Sequence, residues 1–212
     1  MDRKYTHILW DFNGTVYDDV EACRRSTNKL LRDRGLPEMA DADVYRTVFD
    51  FPVSAYYERV GFDFSREPFA VVAPQWVSEY EKQSRDCTLY PDVPQTIRRF
   101  REQGYWQEIL SATESTMLAG QLRALGLDKE LDGWNGMDTI HAASKESIAV
   151  AWRAAHPDAR VLLIGDTTHD AQVAAAMGAD CVLFDGGHMT RERLLACGVP
   201  VIHEIRELWD ML

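Results

Sequence analysis

Residues 7–15 read HILWDFNGT. An apolar run over 7–10 meets a carboxylate at Asp11, and Gly14 and Thr15 then break it. A short apolar run followed at once by an acidic residue and a glycine turn predicts a buried parallel strand carrying a carboxylate at its C-terminal end. Open α/β sheets bind their ligands at that end. By itself Asp11 reads equally well as a turn residue, because Asp is common at strand ends and in Asn-Gly turns.

Residues 161–170, VLLIGDTTHD, repeat the arrangement: an apolar run, Gly165, then Asp166 and Asp170. The two acids are one helical turn apart, so a helix starting near Thr167 lets both face one point near its N-terminus. Three clustered carboxylates repel one another unless a cation lies between them, and hard oxygen ligands suit Mg²⁺.

At these residues the chain resembles a known family. Asp11-Phe12-Asn13-Gly14-Thr15 resembles the first motif, D-x-D-x-T, of the haloacid dehalogenase-like hydrolases, and GDTTHD resembles their fourth. Between them, ILSATES at 109–115 resembles the second motif, a strand ending in Ser or Thr, here Ser111. Lys145 in HAASKES resembles the third. Alone, Ser111 would read as a turn residue and Lys145 as a solvated side chain. Four motifs in the family's order are far more specific than any one of them.

The resemblance is to the phosphoglycolate-phosphatase-like branch, whose helical cap follows the first motif. It implies an α/β fold with a Rossmann-like parallel sheet of order 3-2-1-4-5, helices on both faces and an inserted α-helical cap. The catalytic core would be 1–17 and 88–212, the cap 18–87. It also implies a Mg²⁺-dependent phosphatase acting on a small phosphorylated metabolite. Asp11 would attack phosphorus to form an aspartyl-phosphate, and Ser111 and Lys145 would hold the phosphoryl oxygens. Asp11, Asp166 and the backbone carbonyl of Asn13 would hold the metal, with Asp170 joining the set or orienting its ligands and waters.

One position departs from the pattern. The phosphatases usually carry a second Asp two residues after the nucleophile, as general acid and base, and here that residue is Asn13. A second reading therefore keeps the pocket and loses the turnover, giving a phosphate-binding or regulatory protein. A third is a dehalogenase or a phosphonate hydrolase on the same fold. Paired acids at 166 and 170 argue against the metal-free dehalogenase, and Lys29 and Lys82 are the only lysines in the inserted unit that could serve a phosphonate hydrolase.

At 212 residues the chain accommodates one α/β core and a smaller unit. A net charge of −11 argues against non-specific binding to nucleic acid or an anionic membrane. Cys23, Cys87, Cys181 and Cys197 are scattered without a C-x-x-C pair and read as reduced thiols. With no signal-peptide core before the first strand and no span-length apolar run, the expected location is the cytoplasm.

Helical spacing marks 19–34, 41–49, 52–60 and 66–85. Arg24, Arg25, Lys29 and Arg32 on the first of these read as a solvated face. Phe49, Phe51, Tyr56, Tyr57, Phe62 and Phe64 read as core rather than ligand contacts. Further strands are expected at 106–110, 131–134, 161–164, 181–184 and near Val201, with helices after most of them. His169 and His141 stay outside the candidate site, since a histidine in a first helical turn is more often exposed.

Overall fold

The computed structural model describes residues 3–137 and 144–212, and His141 lies outside them. The first strand, β1 (His7–Trp10), leads into four consecutive helices, α1 (Val20–Asp33), α2 (Ala42–Val48), α3 (Val53–Arg59) and α4 (Phe69–Gln83). The chain then returns to α/β alternation: α5 (Val93–Glu102), β2 (Trp106–Glu114), α6 (Ser115–Ala124), β3 (Gly133–Met137), α7 (Lys145–Ala155), β4 (Val161–Gly165), α8 (Thr168–Ala176), β5 (Asp180–Phe184), α9 (Arg191–Leu195) and β6 (Val201–Ile202). All paired strands are parallel, in the order β3-β2-β1-β4-β5-β6. The expected order is found, with β6 added at the edge. No helix among the described residues is long and apolar enough to cross a membrane.

Alternation along the strands builds two cores. Ile8, Trp10, Ile109, Leu162 and Ile164 pack with Ile97 and Phe100 of α5 and Leu118 of α6. Leu9, Leu110, Leu163 and Leu183 face the other way, against Trp152 of α7, Val173 of α8 and Leu194 of α9. Both faces of the sheet are covered, as an all-parallel sheet requires. The helices α1–α4 enclose a third cluster, with Leu31, Tyr45, Tyr56 and Val72 at its centre.

Register decides what meets at the top of the sheet. Trp10 is level with Ile109 on one side and Ile164 on the other, so Asp11, Ser111 and Asp166 emerge into one crevice. Two strand boundaries differ from expectation. β2 continues to Glu114 because its pairing with β3 shifts register between Leu110 and Glu114, and this irregularity keeps the backbone extended past Ser111. β3 begins at Gly133; the apolar Leu131 packs into the core just ahead of the strand.

Polar contacts hold the helical unit against the sheet. Arg46 donates to the carbonyls of Gly186 and Gly187, and Arg193 pairs with Asp50 at 3.0 Å. The basic residues of α1 are engaged elsewhere: Arg24 and Arg25 with Glu21, Lys29 with Asp33, Arg32 with Glu38. Arg25, Lys29 and Arg32 form the solvated face expected of them, whereas the Arg24 side chain is largely buried and also donates to the carbonyl of Met39.

Leu163 lies in a central strand with no exposed surface. Leu163→Ala should lower unfolding stability by about 2–5 kcal/mol, read as a lower urea midpoint at unchanged slope.

Candidate active site

Lys145 is the first residue of α7, an unfavourable place for a cation because the helix N-terminus is itself positive. It is also buried, and a buried ammonium persists only when paired. Its Nζ donates to Asp11 Oδ1 and Asp170 Oδ1, each at 2.5 Å. Asp170 is fixed in turn by a capping box: Thr167 donates to Asp170 Oδ2 through its hydroxyl and its backbone N–H, and the Thr167 hydroxyl accepts from Asp170 N–H. Asp166 accepts from the Thr15 hydroxyl and from the backbone N–H of His188. Glycine is required at two positions around it: a Cβ on Gly14, which also has φ +73°, or on Gly187 would come within 2.4 Å of an Asp166 side-chain atom.

Carboxylate oxygens of Asp11, Asp166 and Asp170 lie within 4.8 Å of one another, all three residues buried. Three carboxylates and one ammonium leave two formal negative charges. Burial raises the Asp11 pKa well above the usual carboxylate range, and Asp170 and Asp166 add to the rise against the opposing pull of Lys145. Asp166 is raised as well, chiefly by burial, although the charge of His188 opposes it. Asp170 is lowered, because Lys145 and the Thr167 donors outweigh its burial. Burial thus disfavours the ionised form of Asp11 and Asp166. Among the described residues no hydrogen bond reaches Asp11 Oδ2 or the backbone carbonyl of Asn13. These hard oxygens fit a divalent cation such as Mg²⁺.

The Asn13 side chain is anchored at both ends. Its Nδ2 donates to Asp19 Oδ2 at 2.7 Å and to the Tyr80 hydroxyl at 2.8 Å, while Oδ1 accepts from the Thr113 hydroxyl at 2.6 Å. Asp19 is wholly buried and also accepts from Gly14 N–H and the Tyr80 hydroxyl. His188 Nε2 lies 3.4 Å from its other side, and His188 Nδ1 meets the Tyr45 hydroxyl at 2.9 Å. Burial pulls the His188 pKa down, but the hydrogen bond and charge of Asp19, with Asp166 and Asp11 adding theirs, win and raise it to about 9. Asp19 is lowered despite its own burial, mainly by His188. An acid at position 13 would thus face a second carboxylate.

Asp11, Asn13, Ser111, Lys145 and Asp170 share one cavity of about 280 Å³. Ser111 is buried there; its hydroxyl donates to Thr113 Oγ1 and accepts from Thr113 N–H. Phe49, Phe51, Tyr56 and Tyr57 also line the cavity, contrary to their reading as core alone, whereas Phe62 and Phe64 do pack within the helical cluster. His169 is half-buried rather than exposed and stacks on Phe51 at 4.8 Å. Lys29 and Lys82 line a separate depression with Asp33 and Glu79, so neither can serve as a Schiff-base lysine at Asp11. Asp19 and His188 escaped the sequence reading. The Gly186-Gly187-His188 loop does follow a strand C-terminus, a place where ligands bind, and that was the available signal.

A doubly wound sheet with a carboxylate cluster at its switch point puts the candidate site where open α/β sheets bind their ligands. The chain belongs to the haloacid dehalogenase-like hydrolases, whose family model matches residues 8–184. It is 26% identical over 186 residues to a phosphoglycolate phosphatase of Rhodobacter capsulatus, covering 85% of this chain and 84% of that one. A phosphoglycolate phosphatase of Aliivibrio fischeri is 24% identical over 181 residues, covering 81% of this chain and 80% of its own length. Among solved structures, a haloacid dehalogenase-like hydrolase of Streptococcus pneumoniae superposes with a TM-score of 0.84 at 16% identity over 98% of both chains.

The His188 pKa, ordinarily near 6.5, is about 9 in the folded protein. A raised histidine stabilises fully below its unfolded pKa and loses that contribution as pH climbs through its folded one. With divalent cations chelated, unfolding stability should fall by roughly 3 kcal/mol between about pH 6.5 and 9. In His188→Gln that slope should be absent from urea titrations across the same range.

Proposed function

We propose that the chain is a Mg²⁺-dependent phosphatase that hydrolyses a small phosphorylated metabolite through an aspartyl-phosphate on Asp11. The family match and the phosphatase relatives make it a phosphoric monoester hydrolase. The observation that carries the finer reading is a buried carboxylate at a strand end, paired on one oxygen with Lys145 and opening on a cavity through Asp11. Asp11, Asp166 and the carbonyl of Asn13 would hold the cation, which supplies the positive charge that offsets repulsion between carboxylate and phosphate. Asp170, saturated by Lys145 and Thr167, acts by positioning Lys145 at the edge of that set.

The Asp11 carboxylate attacks phosphorus, the bond to the ester oxygen breaks, and the alkoxide departs. Lys145 Nζ and Ser111 Oγ hold the phosphoryl oxygens as charge develops on them. Water then attacks phosphorus, frees Asp11 and releases inorganic phosphate. Residues 18–87 act as the cap, excluding bulk water during both steps. Neither proton transfer can use Asn13, because a carboxamide is neither a useful acid nor a useful base. Positioned acid/base groups contribute about 10² to 10⁴ in rate. This favours a second reading of the same pocket, a phosphate-binding or regulatory protein with impaired turnover. One phosphoryl group bound per chain, without further turnover, distinguishes it from the first.

Nitrophenyl phosphate, whose leaving group needs no proton, should label Asp11 when Mg²⁺ is present. The hydroxylamine-sensitive adduct should vanish on exhaustive chelation and in Asp11→Asn, as read by intact-protein mass spectrometry. Labelling that survives either change refutes the assignment.

The contact between Asn13 and Asp19 governs repair of the missing acid. Asn13→Asp alone brings two carboxylates together, so one proton is shared and the pair's pKa rises. Its turnover of alkyl phosphates should therefore increase below that raised pKa, where the shared proton is still held, and fall away above it. Exchanging the two, Asn13→Asp with Asp19→Asn, keeps the hydrogen bond with its direction reversed. That pair should raise alkyl-phosphate kcat about 10²-fold or more near neutral pH, measured as phosphate release. No gain from either protein at any pH would mean that position 13 does not limit the reaction.

A further inference from the structure

Beyond its phosphate end, the cavity is walled by hydrocarbon. On the helical side it is lined by Phe49, Phe51, Tyr56, Tyr57, Trp76 and Val77, with Met117 of α6 opposite. The polar tips of these rings are largely spent inside the protein: the Tyr56 hydroxyl and Trp76 Nε1 both donate to Thr27 Oγ1 at 3.1 Å. Tyr45 and Tyr80, which also line the cavity, have their hydroxyls engaged with His188 and Asp19 respectively. The Tyr57 hydroxyl has no hydrogen-bond partner among the described residues, which leaves one uncharged donor on this wall.

Positive charge is equally informative. Among the described residues lining the cavity no arginine occurs, and the basic side chains are Lys145, His169 and His188. Lys145 is held at the phosphate end by Asp11 and Asp170, and His188 is held by Asp19. His169 has its ring against Phe51 and its Nδ1 3.8 Å from Glu146. The helical unit, which would face the far end of a bound ester, thus offers no cation. Arg24, Arg25, Arg32, Arg34 and Arg59 of this unit are paired with its own acids, and Arg46 is tied to a core loop. A carboxylate or second phosphate placed there would be desolvated without a partner, which is strongly unfavourable.

We propose that the ester accepted here carries a single anionic group, its phosphate, and an uncharged, apolar and preferably ring-bearing body that packs among Phe49, Phe51, Tyr56, Tyr57 and Trp76. This rests on the phosphatase reading of the same cavity. At about 280 Å³ the space admits a phosphate and a body of roughly one ring, near the low end of ligand sites. Stacked and edge-on ring contacts and methylene burial then select the body. It is a different selection from that of a phosphatase for phosphoglycolate, whose carboxylate calls for a cation at this wall.

The test uses esters that all leave as primary alkoxides, so leaving-group basicity does not mask packing. With Mg²⁺, kcat/KM is measured for phenethyl phosphate, hexyl phosphate, glycerol phosphate and phosphoglycolate. In parallel, calorimetry compares phenethylphosphonate with phosphonoacetate, two ligands that no phosphatase step can consume. Phenethyl phosphate should exceed phosphoglycolate by at least ~100-fold, and the phosphonates should rank in the same order. Val77→Arg, at a partly exposed wall position, should narrow the ratio at least ~10-fold by giving a second anion its partner. Equal or better use of phosphoglycolate, or equal or tighter binding of phosphonoacetate, overturns the proposal. If no ester turns over yet phenethylphosphonate still binds preferentially, the impaired-turnover reading of the same pocket holds and the apolar wall stands.

Discussion

A buried ammonium held between two carboxylates is the constraint on which the rest of this structure depends. Lys145 belongs to α7, Asp11 follows β1 and Asp170 lies in the first turn of α8, so satisfying one cation ties together three segments far apart in sequence. Removing Lys145 strands its two carboxylates in a low-dielectric interior, where an unpaired ion is far more costly than a pair is stabilising. The sheet register makes the arrangement possible by bringing the ends of β1 and β4 level. The same residues that lock the fold at this point are those proposed to meet the phosphate, so stability and chemistry share one set of atoms.

A second network stands beside the first and differs from it in kind. Asn13, Asp19, His188, Tyr45 and Tyr80 form a chain of hydrogen bonds running from the nucleophile's loop into α2 and α4. Here the helical unit contributes polar groups to the core rather than only covering it. Position 13 is therefore set by its neighbours: with Asp19 ionised and held by His188, a carboxamide is the side chain that can donate where a donor is needed. Asn13 is thus a structural answer to Asp19 as well as a chemical deficit at the nucleophile.

Much of this was legible in the sequence, for identifiable reasons. Strands β1, β4 and β5 are short apolar runs bounded by Asp or Gly, and their periodicity leaves little choice. Asp11, Asp166 and Asp170 stand out because carboxylates directly after buried strands need an explanation. Ser111 was found, but not the register shift that keeps β2 extended beyond it, since a bulge depends on pairing with β3 rather than on local composition. Phe49, Phe51, Tyr56 and Tyr57 do pack as core residues, and their second place on the cavity wall was not legible because spacing and chemistry are the same for both. Asp19 and His188 are separated by most of the chain, and only the folded structure shows that they meet.

The hydrogen bond between Asn13 and Asp19 also limits how the sequence can drift. Changing position 13 first creates two facing carboxylates; changing position 19 first leaves His188 without its counter-charge. Either single step passes through a protein with a buried charge poorly compensated, whereas the exchanged pair again sets one carboxylate against one carboxamide across this contact. The two positions are epistatic. A lineage carrying this pair is held away from the ordinary acid/base arrangement by a barrier in stability, whatever the demand for faster turnover.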